Sequence, residues 1–288
     1  MIVYQAMLET VPGFREEQGI INDHAVSTAS GRVAKRAGVI KIPTVVHVVY
    51  KDPADNISDA QVTSQIDVLN EDFRAKNADI GSVPAVWKAL AADAQIEFVL
   101  AQTDPDGGQT DGITRTQTTV DTFDQPGNPV KHAASGGVDA WDPTHYLNIW
   151  VCNLGSGLLG YAQFPGGPKD TDGVVILNRA FGRTGIAQAP YDKGRTTTHE
   201  VGHYLNLFHI WGDTVDCSGT DYVNDTPNAK DPNYGKPTFP KVSCSNGPNG
   251  DMFMNYMDYV DDDSMFMFTQ GQVDRMRATL SGKRSKLG

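Results

Sequence analysis

Three histidines constrain the local structure of this chain more than any other feature. In Thr198-His199-Glu200-Val201-Gly202-His203-Tyr204-Leu205-Asn206-Leu207-Phe208-His209 the first two are four residues apart. On an α-helix that spacing projects both imidazoles from one face, where they can grip one ion. Glu200 follows the first histidine, near enough to reach a water on such an ion without being a ligand itself. His209 comes six residues after His203, so to reach the same ion the chain must leave the helix and turn back near Asn206. Three imidazoles leave a fourth position open, which marks a catalytic zinc rather than a closed structural one. Such a zinc lowers the pKa of water and polarises a carbonyl, while Glu200 takes and later returns the proton.

The rest of the chain narrows the setting. Its net charge of −11 argues against a nucleic-acid partner, since phosphate binding needs clustered Lys and Arg. The one concentrated basic segment, Arg32, Lys35, Arg36 and Lys41, reads as a linker. Nowhere do 18 consecutive apolar residues occur, so no membrane span is expected. Met1 to Thr10 lacks the basic and apolar regions of a signal peptide. Cysteine is scarce, with Cys152, Cys217 and Cys244, so a disulfide framework is not what holds the fold. Cys217 and Cys244 flank a loop rich in Pro, Gly, Asn and Asp, where a bridge is expected to restrain a long excursion. Cys152 follows an apolar run and reads as a buried free thiol.

Residues 1 to 38 have weak periodicity and read as a poorly structured N-terminal extension, with the folded domain spanning 39 to 288. Ile40 to Tyr50 is β-rich, and His47 within it reads as a core histidine. Ser58 with Gln61 suggests a capping box before a helix whose apolar stripe is Val62, Ile66, Leu69 and Phe73. Strands are expected at Ile96 to Ala101, Tyr146 to Cys152, Gly160 to Phe164 and Gly173 to Leu177. Asp104 to Lys131 suggests surface loops around a short strand. Thr269 with Gln272 opens a last helix through Val273, Met276 and Leu280. That order suggests a mixed α/β or α+β domain.

The histidine segment resembles the extended zinc motif of the metzincins, His-Glu-x-x-His-x-x-Gly-x-x-His. Asn206 stands where the family has glycine. Asn is the residue that best tolerates the left-handed backbone needed there, so the turn is expected to survive. Downstream, Asn255-Tyr256-Met257-Asp258-Tyr259 resembles the metzincin Met-turn. The resemblance makes Met257 an apolar floor beneath the zinc and puts Tyr259 near the metal, able to hydrogen-bond an oxyanion. It also implies the fold: a twisted, mostly parallel sheet with the active-site helix in the upper half, and an irregular lower half ending in a helix. Met252, Met254, Met265 and Met267 read as core.

Within the metzincins the likeness is to the pappalysin family, its ulilysin-like bacterial members in particular, from about Ile40 to Leu280. It rests on Leu147 to Cys152, Gly157 to Pro165, the zinc helix, Asp225-Thr226-Pro227 and Asn255 to Gln272. It implies a secreted, monomeric zinc endopeptidase acting on extended polypeptide. Leu159 and Gly160 would lie in an edge strand that pairs with substrate. Asp262 would face an Arg, or a Lys, just after the scissile bond, and a bidentate pair there would distinguish Arg. It further implies a structural calcium ion held by Asp221 and Thr226, with Thr220 beside them. Relatives are made as zymogens, so residues 1 to about 36 would be a pro-segment. It contains no cysteine, which leaves Asp23 or His24 to block the zinc, and Arg32, Lys35 and Arg36 as self-cleavage sites. A non-enzymatic zinc module would need neither Glu200 nor Tyr259. A peptidase with a glutamate as third ligand would not need His209.

Overall fold

The β-rich run forms strand β1 (Ile40–Tyr50), the centre of the main sheet in the computed structural model, which describes residues 2–31 and 36–288. Ile40, Ile42, Val45, Val46, Val48 and Val49 are all buried, because a parallel interior strand is covered on both faces. One edge of β1 pairs with β2 (Ile96–Leu100) and then with β3 (Ile113–Gln117); the other pairs with β4 (Leu147–Cys152). Beyond β4 come β6 (Val174–Leu177), still parallel, and β5 (Gly160–Ala162), antiparallel at the edge. His47 lies inside, with its ring nitrogens on Thr114 Oγ1 (2.8 Å) and Asn148 Oδ1 (3.0 Å).

Helix α3 (Asp59–Phe73) buries the expected stripe of Val62, Ile66, Leu69 and Phe73, each worth about 1.5–3 kcal/mol. Its capping box is only half made. Ser58 Oγ accepts from Gln61 N at 3.2 Å, but the Gln61 side chain turns inward to the carbonyls of Asn178 (3.0 Å) and Phe181 (2.8 Å). The last helix, α5 (Gln270–Ser281), has the complete box of Thr269 and Gln272.

The N-terminal extension is structured, contrary to the sequence reading. Helix α1 (Ile2–Thr10) and helix α2 (Phe14–Ala29) both dock on the domain. Val3, Tyr4, Met7 and Phe14 join an apolar cluster with Phe164 and Phe208, and the Tyr4 ring lies 4.7 Å and 5.2 Å from those two. The buried face of α2 packs on α5. Gln18 Nε2 donates to Pro165 O at 2.6 Å, and Glu17 pairs with Lys283 at 2.6 Å. Asp23 and His24 therefore do not meet the three histidines. Asp23 is exposed, and the His24 ring lies 2.8 Å from where a Cβ on Gly282 would stand. Arg32 and Lys35 lie outside the described residues. Arg36 donates to the carbonyls of Leu287 and Gly288.

Cys217 and Cys244 are joined, 27 residues apart in sequence, and Cys152 is free and buried. The bridge closes a loop that carries β7 (Tyr234–Gly235), which pairs with β8 (Tyr259–Val260). Replacing both bridged cysteines by serine should lower stability by about 3–4 kcal/mol through lost loop-closure entropy. Chemical denaturation checks this; a loss under about 1 kcal/mol would mean the loop is held by its packing alone.

Candidate active site

Helix α4 (Arg195–Tyr204) carries the first two histidines, and every residue in it is buried. Polar groups of α3 hold it. Gln65 donates through Nε2 to Gly194 O (2.9 Å) and accepts through Oε1 from Gly182 N (2.6 Å) and Thr197 Oγ1 (2.8 Å). Asp72 accepts from Thr198 Oγ1 and from the Tyr256 hydroxyl, both at 2.8 Å, so one carboxylate joins the helix to the Met-turn. At its start, Arg195 pairs with Asp79 and donates to Asp262 O at 2.8 Å. After Tyr204 the chain turns through Asn206, whose φ of 76° is left-handed. Arg275 Nε caps that turn, donating to Asn206 O at 2.6 Å.

The turn brings His209 back to the pair. His209 Nε2 is 3.2 Å from His199 Nε2 and 3.0 Å from His203 Nε2. Each Nδ1 faces a pure acceptor: Tyr256 O (2.7 Å), Leu207 O (2.8 Å) and Asp213 Oδ1 (2.7 Å), respectively for His199, His203 and His209. Nδ1 must therefore hold the proton, which leaves three Nε2 lone pairs pointing at one spot. Burial disfavours charge on all three rings, taking His199 down to about 4 and the other two well below the ordinary histidine value. Facing lone pairs repel unless a cation lies between them. Tetrahedral zinc with Zn–N near 2.0–2.1 Å sets its nitrogens about 3.3 Å apart, close to the spacing found. Among the described residues this is the only group of three or more metal-ligating side chains so gathered.

Glu200 is buried beside the histidines, and burial raises its pKa to about 7. A carboxylate near neutral in proton affinity can both take and return a proton. A Cβ on Gly160 would lie 3.0 Å from Glu200 Cγ, so β5 passes directly over it, and only glycine allows that approach. Met257 lies beneath the helix, its sulfur 2.5 Å from where a Cβ on Gly202 would be. The Tyr259 ring is 5.5 Å from that of His199 and 4.7 Å from that of His209.

A cavity of about 300 Å³ runs from Leu159, Gly160, His199 and Glu200 past Tyr259 to Tyr191, Tyr234 and Asp262. A smaller one, about 100 Å³, meets the histidines from the other side, where Val3 and Tyr4 of α1 form part of its wall. Asp262 is buried, and burial raises its carboxyl to about 6. The bidentate geometry expected of it is not available. Its Oδ2 accepts from Lys193 N (2.8 Å) and Arg195 N (3.2 Å), serving as the anion at the start of α4. Among the described residues no protein donor reaches Oδ1, the oxygen left for a ligand. In the loop expected to hold calcium, Asp221 is buried and accepts from Thr226 Oγ1 (2.6 Å) and Val223 N (3.1 Å). Thr220 is exposed, its Oγ1 taken by Tyr222 N at 3.0 Å.

Three side chains passed over in the sequence reading complete the site. Asp213 orients His209. Asp258 accepts from Asn233 N (2.8 Å), Asn233 Nδ2 (2.7 Å) and Tyr259 N (2.8 Å), fastening β7 to the Met-turn. Asp72 was legible in principle: with Gln61 and Gln65 it makes a polar stripe on one side of an otherwise apolar helix face.

Comparison with known proteins gives the same reading. Residues 135–281 match the peptidase family described as pregnancy-associated plasma protein-A. Extracellular metalloprotease 1 of Coccidioides posadasii is 34% identical over 260 residues, covering 86% of this chain and 79% of that protein. An extracellular metalloprotease of Arthroderma benhamiae is 30% identical over 82% and 76%. Mature mirolysin of Tannerella forsythia, solved with a cleaved peptide, is 56% identical with a TM-score of 0.85, covering 87% of this chain and 96% of that one. A promirolysin mutant of the same organism is 50% identical with a TM-score of 0.90, covering 99% and 94%. The chain is a metalloendopeptidase and belongs to the pappalysin family of the metzincins.

Proposed function

We propose that the chain is a secreted, zinc-dependent endopeptidase that cleaves extended polypeptide before arginine or lysine. The observation that carries this reading is the convergence of three neutral imidazoles beside Glu200, in a cavity that also contains the free oxygen of Asp262. His199, His203 and His209 would hold the zinc. When bound, it would supply Lewis acidity, lowering the pKa of water and polarising the scissile carbonyl. Glu200 takes the proton from the attacking water and passes it to the leaving amine, with no covalent link to the enzyme. Tyr259 donates its hydroxyl to the carbonyl oxygen as charge develops there; burial pushes that phenol upward, so it stays protonated. Leu159 and Gly160 offer substrate the open edge of β5. Asp262 Oδ1 receives the basic side chain of the residue after the cut.

Residues 1 to 36 act as a removable pro-segment in this reading. Support comes from α1 walling the histidine cavity, and from the closer coverage by promirolysin than by the mature enzyme. Self-cleavage should shorten the full chain by about 31 to 36 residues; an N-terminus intact after long incubation would refute it. Calcium at Asp221 and Thr226 is part of the same proposal, supported by the two buried oxygen-bearing side chains standing 2.6 Å apart in one loop. A single monomer suffices, since every group named comes from one chain.

Digestion of a mixed peptide library, with and without a zinc chelator, tests the whole. Chelator-sensitive cuts should cluster before Arg and Lys. Asp262→Asn keeps an oxygen for the α4 backbone but should reduce kcat/KM for such bonds by about 30-fold or more. Chelator-sensitive cuts with no basic preference would keep the protease and discard the pocket.

A further inference from the structure

We infer that the rings of Tyr191 and Tyr234 make the Asp262 cavity prefer the planar guanidinium of arginine over the ammonium of lysine. The inference rests on the assignment of Asp262 to the residue after the cut.

Asp262 by itself discriminates poorly. A carboxylate tells Arg from Lys through two parallel N–H···O bonds, which need both oxygens. Here Oδ2 spends both lone pairs on the backbone N–H groups of Lys193 and Arg195. One remaining oxygen serves a guanidinium or an ammonium equally well. Nor do the other acids in the cavity wall supply a second acceptor: both oxygens of Asp258 are engaged by Asn233, one of them by Tyr259 N as well, and Glu200 is assigned to the attacking water.

What remains in the cavity that can distinguish the two cations is aromatic surface. Tyr191 belongs to the turn that clamps Asp262: the neighbouring Pro190 carbonyl accepts from Asp262 N at 3.2 Å, and Lys193 N binds the carboxylate. The Tyr191 phenol is pushed upward first by burial and then by the charges of Asp261 and Asp262, so the ring and the acid share one field. Tyr234 is 66% exposed, yet it is anchored by the β7–β8 pairing and by a ring contact of 6.0 Å with Tyr259. Asp262 and both phenol rings thus line one cavity. A guanidinium is flat and weakly hydrated, so it stacks on such rings while donating one N–H to Oδ1. An ammonium is compact and strongly hydrated, and gains less from the ring faces. Asp192, Asp261 and Asp263 keep the surroundings negative for either cation.

The test uses the full chain and the dipeptides arginyl-leucine and lysyl-leucine, which mimic the new N-terminus left by cleavage. The Tyr191–Asp262 cavity is not walled by α1, so binding is readable whether or not the chain is latent. Isothermal titration should give tighter binding of the arginyl dipeptide. Tyr191→Leu should cut the Arg:Lys ratio by about 5-fold, and Tyr234→Leu, at the exposed side, by about 2-fold. Tyr191→Phe keeps the ring and should keep the ratio. An unchanged ratio in both leucine variants, with Asp262→Asn losing both dipeptides, would overturn this inference and leave the Asp262 assignment standing. Undiminished arginyl binding by Asp262→Asn would overturn that assignment and this inference with it. A ratio lost in Tyr191→Phe would place the effect in the hydroxyl and refute the ring.

Discussion

Glu200→Ala is expected to reduce turnover of an unstructured peptide by about 10²–10⁴-fold while the zinc content stays at that of the parent. Each Nε2 atom that converges faces another Nε2, and each imidazole keeps its own Nδ1 acceptor, so nothing that would grip the metal is removed. What disappears is the buried carboxyl under Gly160, the group placed to carry the proton between water and leaving amine. Elemental analysis and steady-state kinetics on one preparation separate the two. More than a tenth of parental kcat in the alanine variant would remove Glu200 from its role. Loss of metal along with activity would mean that the carboxylate holds the site together rather than driving the chemistry.

The largest stability loss is expected at Arg284. Its guanidinium clasps Asp172 through two bonds of 2.6 and 2.7 Å, donates to Tyr204 O at 3.0 Å and lies 3.5 Å over the Tyr204 ring. Tyr204 ends α4, so this cation also sits at the negative end of the active-site helix. Arg284→Ala leaves the Asp172 carboxylate unpaired inside the protein and should cost about 3–5 kcal/mol. Removing both charges at once, with Arg284→Met and Asp172→Leu, should cost less than the single change, because the carboxylate no longer stands without its guanidinium. Denaturant midpoints at constant slope provide the readout. A single-variant loss below about 1 kcal/mol would show that water reaches Asp172 and that the pair is a surface feature.

What could be read from the sequence was local chemistry. The helix under His199 and His203, the left-handed turn at Asn206 and the box at Thr269 are each decided within a few residues of chain. The errors came where a residue's partner lies far away. Gln61 looked like a cap because Ser58 is three residues off, but its side chain prefers carbonyls more than 100 residues downstream. The bidentate form of the Asp262 reading overlooks the backbone amides of Lys193 and Arg195, far off in sequence, which take one of its two oxygens. The N-terminal helices were missed for a compositional reason. Phe14, Gln18, Ile21, Ala25 and Thr28 do lie on one face at helical spacing. But a glutamine, an alanine and a threonine dilute the apolar signal, and Gly13 and Gly19 interrupt it. Packing against α5 supplies the stability that the segment's own residues do not advertise.

The docking of α2 on α5 also sets an order of events as the chain is made. Helix α2 finds its surface on α5, about 250 residues further along the chain, and β1 must wait almost 100 residues for β4. At roughly 5–20 residues per second α2 spends some 10–50 s without its partner. Its apolar face is short and diluted, which suits a segment that must remain soluble through that interval. A polypeptide broken off before Gln270 would never seat α2. Seating of α2 thus reports that the last helix of the fold is in place.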